Sequence, residues 1–206
     1  MVTYPISGVA GNQITNYIPI GGGTYFGFGG ADTFTWTNGT PDATASTTAG
    51  IYVAGAGLGF EVDAAAASYE RVLNIYVGLY FATMHFEAEM SDNRAPVFID
   101  ESYSGNSGIP LRRYSIRYSS PNPGAFLKVR YWQIVGGNVT LTAASLTYGN
   151  IIVKAQPAAG GQVKVTWPVG TLLEAPTATG PWTTNTATSP YTFTPIGSKK
   201  FFRIVQ

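Results

Sequence analysis

Two runs of residues in immediate succession constrain this chain most. In 73–80, Leu73, Ile75, Val77 and Leu79 alternate with Asn74, Tyr76, Gly78 and Tyr80; in 83–90, Met84, Phe86, Ala88 and Met90 alternate with His85, Glu87 and Glu89. A period of two sends successive side chains to opposite faces of a strand. Each run is therefore a strand with one buried face, and their adjacency predicts a hairpin. Further strands are expected at 97–99, 114–118, 126–135 and 139–148, with Gly136, Gly137 and Asn138 making a tight turn between the last two. Gly, Pro, Asn and Ser punctuate these runs at short intervals, the pattern of a sandwich or barrel and not of βαβ units. The one helical candidate is 63–71, with Asp63 as N-cap before four alanines.

The strand pattern restarts after Gly149, and charge changes sign there. Residues 1–150 hold ten acids and seven bases, whereas 151–206 hold one acid and five bases. Two domains are predicted: an antiparallel, jelly-roll-like β-sandwich over 1–149, and a small Ig/fibronectin-III-like β-sandwich over 150–206. The second is expected to contain six short strands, at 151–156, 162–167, 171–175, 182–183, 191–194 and 199–205. Two hundred and six residues bury a self-sufficient core without metal or disulfide, and the absence of cysteine excludes thiol chemistry.

Charged residues make up 11% of the chain, against about 25% in average soluble domains. Low charge with abundant Gly, Thr, Ser, Ala and Tyr is the profile of an exported β protein, so an extracellular or cell-surface location is expected. No charged stretch followed by an apolar run opens the chain, and the longest apolar stretches fall far short of the roughly 20 residues that span a bilayer. No basic stripe interleaved with aromatics points to nucleic acid.

The segments Gly170-Thr-Leu-Leu-Glu-Ala-Pro, Gly180-Pro-Trp-Thr, Ser189-Pro-Tyr-Thr and Lys200-Phe-Phe-Arg-Ile resemble small fibronectin-type-III-like modules that close large secreted proteins of environmental bacteria. Phe34-Thr-Trp-Thr-Asn-Gly-Thr-Pro, Gly57-Leu-Gly-Phe, Arg71-Val-Leu-Asn-Ile-Tyr-Val-Gly, Met90-Ser-Asp and Gly137-Asn-Val-Thr-Leu resemble jelly-roll-like accessory modules of similar multidomain proteins. The resemblance implies sandwich modules used for display, spacing, adhesion or glycan binding. It carries over no activity and no functional residue.

Several groups of residues bear on chemistry. Gly55-Ala-Gly57-Leu-Gly59 lacks the preceding strand, long helix and closing acid of a dinucleotide site, so its glycines serve a turn or bulge. His85, the only histidine, shares a strand face with Glu87 and Glu89. Two carboxylates at that spacing lie roughly 7 Å apart, within the range of glycoside hydrolysis; the alternative is cross-strand ion pairing with Arg117 or with Lys128 and Arg130. No catalytic residue is assigned, and an enzyme would have to use Glu87 or Glu89. Asp92, Asn93, Asp100 and Glu101 form the best oxygen cluster, with Asp92 and Asp100 as candidate calcium ligands; no other cofactor is indicated. For carbohydrate, Trp132 is the leading platform, because in 126–135 it shares a face with Lys128 and Arg130, and Tyr76 and Tyr80 are expected on the same outward surface. Trp36, Trp167 and Trp182 are expected in cores. Asn38-Gly-Thr40 and Asn138-Val-Thr140 match the glycosylation pattern and are expected to be turns.

The leading functional expectation is a non-catalytic structural or adhesive subunit that assembles with copies of itself or with other surface proteins. Its contact is expected through an apolar terminal strand containing Phe201, Phe202 and Ile204. The alternative is a carbohydrate-binding or spacer module, with polysaccharide as partner.

Overall fold

The computed structural model describes residues 13–37, 42–105, 108, 110–197 and 199–205; the Asn38 pattern lies outside them. The chain divides into two compact units, Met1–Gly149 and Asn150–Gln206. Every strand pairing in both is antiparallel. No helix of the described residues is long and apolar enough to cross a membrane.

The strands of the first unit are β1 (Ile18–Ile20), β2 (Phe26–Trp36), β3 (Ala45–Ala54), β4 (Gly59–Ala65), β5 (Arg71–Met90), β6 (Phe98–Asp100), β7 (Ser104–Gly105), β8 (Leu111–Tyr118) and β9 (Phe126–Tyr148). Two expected connections are absent. The runs 73–80 and 83–90 are one 20-residue strand and not a hairpin, and 126–135 and 139–148 are one 23-residue strand with no turn at Gly136–Asn138. β5 and β9 pair with each other along almost their whole length, from Arg71↔Tyr148 to Met90↔Leu127.

This ribbon doubles over at its middle. Leu73, Ile75, Val77 and Leu79 from one half of β5 and Met84, Phe86, Ala88 and Met90 from the other are buried in a single core. Phe86 stacks on Tyr114 with ring centroids 3.7 Å apart, yet Tyr114 is the β8 partner of Ile75. At about 3.3 Å per residue a straight strand would hold Phe86 roughly 36 Å from Ile75, so the strand must fold back on itself. The fold lies where the register shifts, with Ala82 paired to Gly136, Phe81 at φ +50° and Gly136 at φ +92°. A bulge adds one residue, bends the ribbon and switches which parity of side chain is buried; accordingly Tyr80 and Phe81 are both exposed.

Each half of the ribbon seeds one layer of a sandwich. The first layer runs β2, β3, the second half of β9, the first half of β5, then β8; the second runs β1, β4, the first half of β9, the second half of β5, then β6 and β7. The helix expected at 63–71 is absent because Asp63–Ala65 pair with Phe126–Lys128 of β9, and strand pairing overrides the modest helical preference of alanines.

The β2–β3 hairpin leaves its layer. β3 pairs with β9 only over Ile51–Ala54, while the hairpin continues through Phe34↔Thr47 to Trp36↔Ala45 beyond a register shift after Gly29. With strands about 4.8 Å apart, an in-plane β2 would sit roughly 14 Å from β5. Phe34 instead meets Tyr76 of β5 at 4.9 Å between ring centroids, at an interplanar angle of 68°. The end of the hairpin is therefore an arm lying across the outer face of the first layer.

The second unit holds six strands among its described residues: β10 (Lys154–Ala158), β11 (Gln162–Thr166), β12 (Thr171–Ala175), β13 (Thr183–Thr184), β14 (Tyr191–Phe193) and β15 (Phe201–Val205). They form two three-stranded sheets, β10-β11-β14 and β13-β12-β15. Val165, Trp167 and Leu172 are the core between them, with Val163, Tyr191, Phe193, Phe202 and Ile204 packed against it.

Candidate functional site: the groove under the arm

Registers map the outer face of the first layer. Reading from β9 through β5 to β8, one row is Ala143, Tyr76, Arg113 and the next is Ser145, Asn74, Ser115. Alternation directs these side chains outward because Ile75, Val77 and Ala144 between them are buried. The arm adds Phe34, Thr35 and Trp36 above this floor, and between arm and floor lies a groove of about 160 Å³ bounded also by Thr47, Thr142 and Ala144. Phe34, Trp36 and Tyr76 are each half-buried, and the Trp36 indole N–H is held by the Asp42 carbonyl at 2.8 Å. A second cleft, about 250 Å³, lies along the same arm between Phe28–Asp32 and Leu111, and meets the first at Thr142.

The aromatic residues singled out in the sequence are not brought together. Tyr76 lines the groove, Tyr80 is 41% exposed at the bend with its ring edge-on to Phe81, and Trp132 lies on the outer face of the other layer. There Trp132 stacks on His85 at 4.1 Å and 20°, so one face of the indole is covered. Trp36, expected in a core, belongs instead to the groove; Trp167 is buried, whereas Trp182 is half-buried under the Arg203 guanidinium. The signal for Trp36 was its place beside Phe34 in an alternating run, but departure of the hairpin from its sheet has no local signature.

Around Trp132 the carboxylates are engaged. Arg130 bonds Glu87 at 2.5 Å and Glu89 at 3.0 Å, and Lys128 lies 3.8 Å from Glu89. His85 bridges Glu101 at 2.6 Å and Glu87 at 3.3 Å. The cross-strand alternative for this row thus holds for Lys128 and Arg130, while Arg117 pairs with Glu70. Asp63, on the same face of β4, has its carboxyl pushed up by burial and then by Glu61.

Asp92 and Asp100 belong to separate networks. Asp92 accepts from the Ser120 hydroxyl, the Asn122 amide and the Arg94 backbone. Asp100 accepts from Ser102 N–H at 2.8 Å, Tyr114 hydroxyl at 2.7 Å and Arg112 at 3.1 Å. Among the described residues no three carboxylate or imidazole groups converge to hold a metal ion. Hydrogen bonds from Ser102 and Tyr114 hold the Asp100 carboxyl at about 2, below its ordinary 3.8. The unfolded chain therefore takes up this proton first. Asp100 contributes its full stabilisation above about pH 4, and the contribution is lost as pH falls through about 2. Melting temperature measured across that window should fall less steeply for Asp100→Asn than for the parent; parallel acid slopes would refute this.

In the second unit β15 is an edge strand, paired with β12 alone. Of the residues expected in an apolar contact, Phe202 and Ile204 are half-buried and pack against the core of this unit. Phe201 is half-buried and Val205 exposed.

No family model matches this chain, and no curated protein matches it. Solved structures that align with part of this chain include the enzymatically active domain of bacteriophage CBA120 tailspike protein 4, with 12% identity over 65% of this chain and a TM-score of 0.37. TmCBM61 in complex with beta-1,4-galactotriose aligns with 61% of this chain at 9% identity and a TM-score of 0.38. The CBM22-1 and GH10 modules of Clostridium thermocellum endo-1,4-beta-D-xylanase 10B, complexed with xylohexaose, align with 61% at 11% identity and a TM-score of 0.37. The aligned part spans 20% of the tailspike chain, 88% of TmCBM61 and 26% of the xylanase chain. These are distant likenesses.

Proposed function

We propose that the first unit binds polysaccharide in the groove under the arm, with a sugar ring against Tyr76 and Trp36. The observation that carries this is the gathering of Phe34, Trp36 and Tyr76, from two separate elements, over a floor of small residues that includes Ala143 and Ser145. Sugar rings present apolar C–H faces that aromatic rings cover well, while hydroxyl groups need polar neighbours; Ser145, Thr142 and Thr47 supply those here. The groove's 160 Å³ is below the roughly 300–1,000 Å³ of pockets for drug-sized ligands. It suits one ring of a chain that continues across the surface.

Affinity gel electrophoresis against soluble polysaccharides tests this reading. Tyr76→Ala is expected to weaken retention about tenfold or more, from loss of the stacking face, while stability changes by no more than about 1 kcal/mol for a half-exposed side chain. Trp132→Ala, on the opposite layer, should leave retention unchanged. Equal retention of the parent and Tyr76→Ala would remove the groove from consideration.

A further inference from the structure

Six of the seven basic side chains in the first unit have an evident structural role. Arg94 pairs with Asp92, Arg112 with Asp100, Arg117 with Glu70, Lys128 with Glu89, and Arg130 with Glu87 and Glu89. Arg71 is buried and donates to the Ala65 carbonyl and the Tyr69 hydroxyl. Arg113 is exposed, and no carboxylate of the described residues comes within 4.0 Å of it.

Its position gives this a meaning. Arg113 is the β8 register partner of Tyr76, about 4.8 Å away across the sheet on the same outer face, so it flanks the groove on the side of Tyr76 away from β9. In the next row the Ser115 hydroxyl donates to Asn74 Oδ1 at 2.6 Å. That bond uses the Asn74 oxygen and not its amide N–H groups, on the same face as Ser145. The rows at this side of the groove thus present guanidinium and amide donors, with no carboxylate in either row.

Resting on the groove reading, we propose that the polysaccharide recognised is anionic, and that Arg113 is the specificity-determining residue that holds an acidic substituent of the sugar next to Tyr76. A planar guanidinium forms two parallel charge-assisted hydrogen bonds to a carboxylate or a sulfate, and an unpaired one beside an aromatic platform matches a sugar that carries both an apolar face and an anionic edge. Carboxylate and sulfate share this chemistry.

The test measures retention of the full chain by polygalacturonate against its methyl-esterified form, and by dextran sulfate against dextran. The parent is expected to bind one acidic polymer about tenfold more tightly than its neutral counterpart, and the polymer that does so identifies the substituent. Arg113→Gln should abolish that preference and Arg113→Lys restore part of it. Lys164→Gln, the same charge change on an exposed residue of the basic second unit, should leave the preference intact. Binding of neither acidic polymer, equal binding of acidic and neutral forms, or equal losses in Arg113→Gln and Lys164→Gln would each overturn the assignment. Tyr76→Ala separates the two readings: if it weakens retention while Arg113→Gln leaves the preference for the acidic polymer unchanged, the groove stands and the anionic specificity falls.

Discussion

Gly136→Ala is expected to destabilise the first unit by roughly 3 kcal/mol, combining about 1–3 kcal/mol for a non-glycine residue in a disfavoured backbone region with about 1–3 kcal/mol for overpacking. Gly136 sits at φ +92°, and a Cβ there would run into the carbonyl oxygen of Phe81 on the facing strand. That neighbour is backbone, at the point where the ribbon doubles, so it has nowhere to move without opening the sandwich. Gly124 separates the two contributions: its φ is +80°, but a Cβ there meets nothing within 4 Å. Gly124→Ala should therefore cost only the backbone part, about 1 kcal/mol. Urea unfolding followed by tryptophan fluorescence, fitted to two transitions, measures both. A Gly136→Ala cost no larger than that of Gly124→Ala would show that the bend is not held by this close approach.

Removing residues 201–206 is expected to unfold the second unit outright. The deletion strips β12 of one neighbour and takes Phe202 and Ile204 off the core formed by Val165, Trp167 and Leu172. Truncating one large core side chain costs about 2–5 kcal/mol, and two are lost here together with a row of strand hydrogen bonds. A unit of about 57 residues has roughly 3–9 kcal/mol of stability at 0.05–0.15 kcal/mol per residue, so the loss is as large as the whole of it. The truncated chain should show one unfolding transition where the parent shows two, with Trp167 and Trp182 emitting as solvent-exposed residues before any urea is added. Survival of both transitions would mean that the sheet β13-β12-β15 does not depend on its edge strand.

Alternation made the faces of β5 and β9 legible, and with them the buried set Met84, Phe86, Ala88 and Met90. It did not make continuity legible. Gly136-Gly137-Asn138 reads as a tight turn because tight turns and bulges both call on residues that tolerate positive φ, and the choice between them depends on what the strand meets 50 residues away. The alanines after Asp63 carry a helical preference too weak to resist pairing with β9. For the site, Tyr76 and the outward position of Trp132 were accessible from parity alone. Trp36 was not, since nothing local records that the β2–β3 hairpin crosses the outer face of the sheet. Arg113 carried a readable sign, because in Leu111–Tyr118 the odd positions Arg113, Ser115 and Arg117 alternate with the inward Tyr114, Ile116 and Tyr118. Its lack of an acidic partner appears only when every other basic side chain has been placed.

The doubled ribbon also sets the order in which the chain acquires structure. β5 and β9 are separated by the whole of 91–125, and each contributes to both layers, so neither layer can be completed before that long loop closes. Closing it brings loop entropy forward, ahead of most of the contacts that compensate for it. The second unit joins β10 to β11 through Ala159–Gly161 alone, and its widest pairing, Thr171↔Val205, closes a much shorter stretch of chain than Arg71↔Tyr148 does in the first. During synthesis the N-terminal unit therefore remains unfinished until Tyr148 has emerged, and the smaller unit that follows it folds on the faster clock.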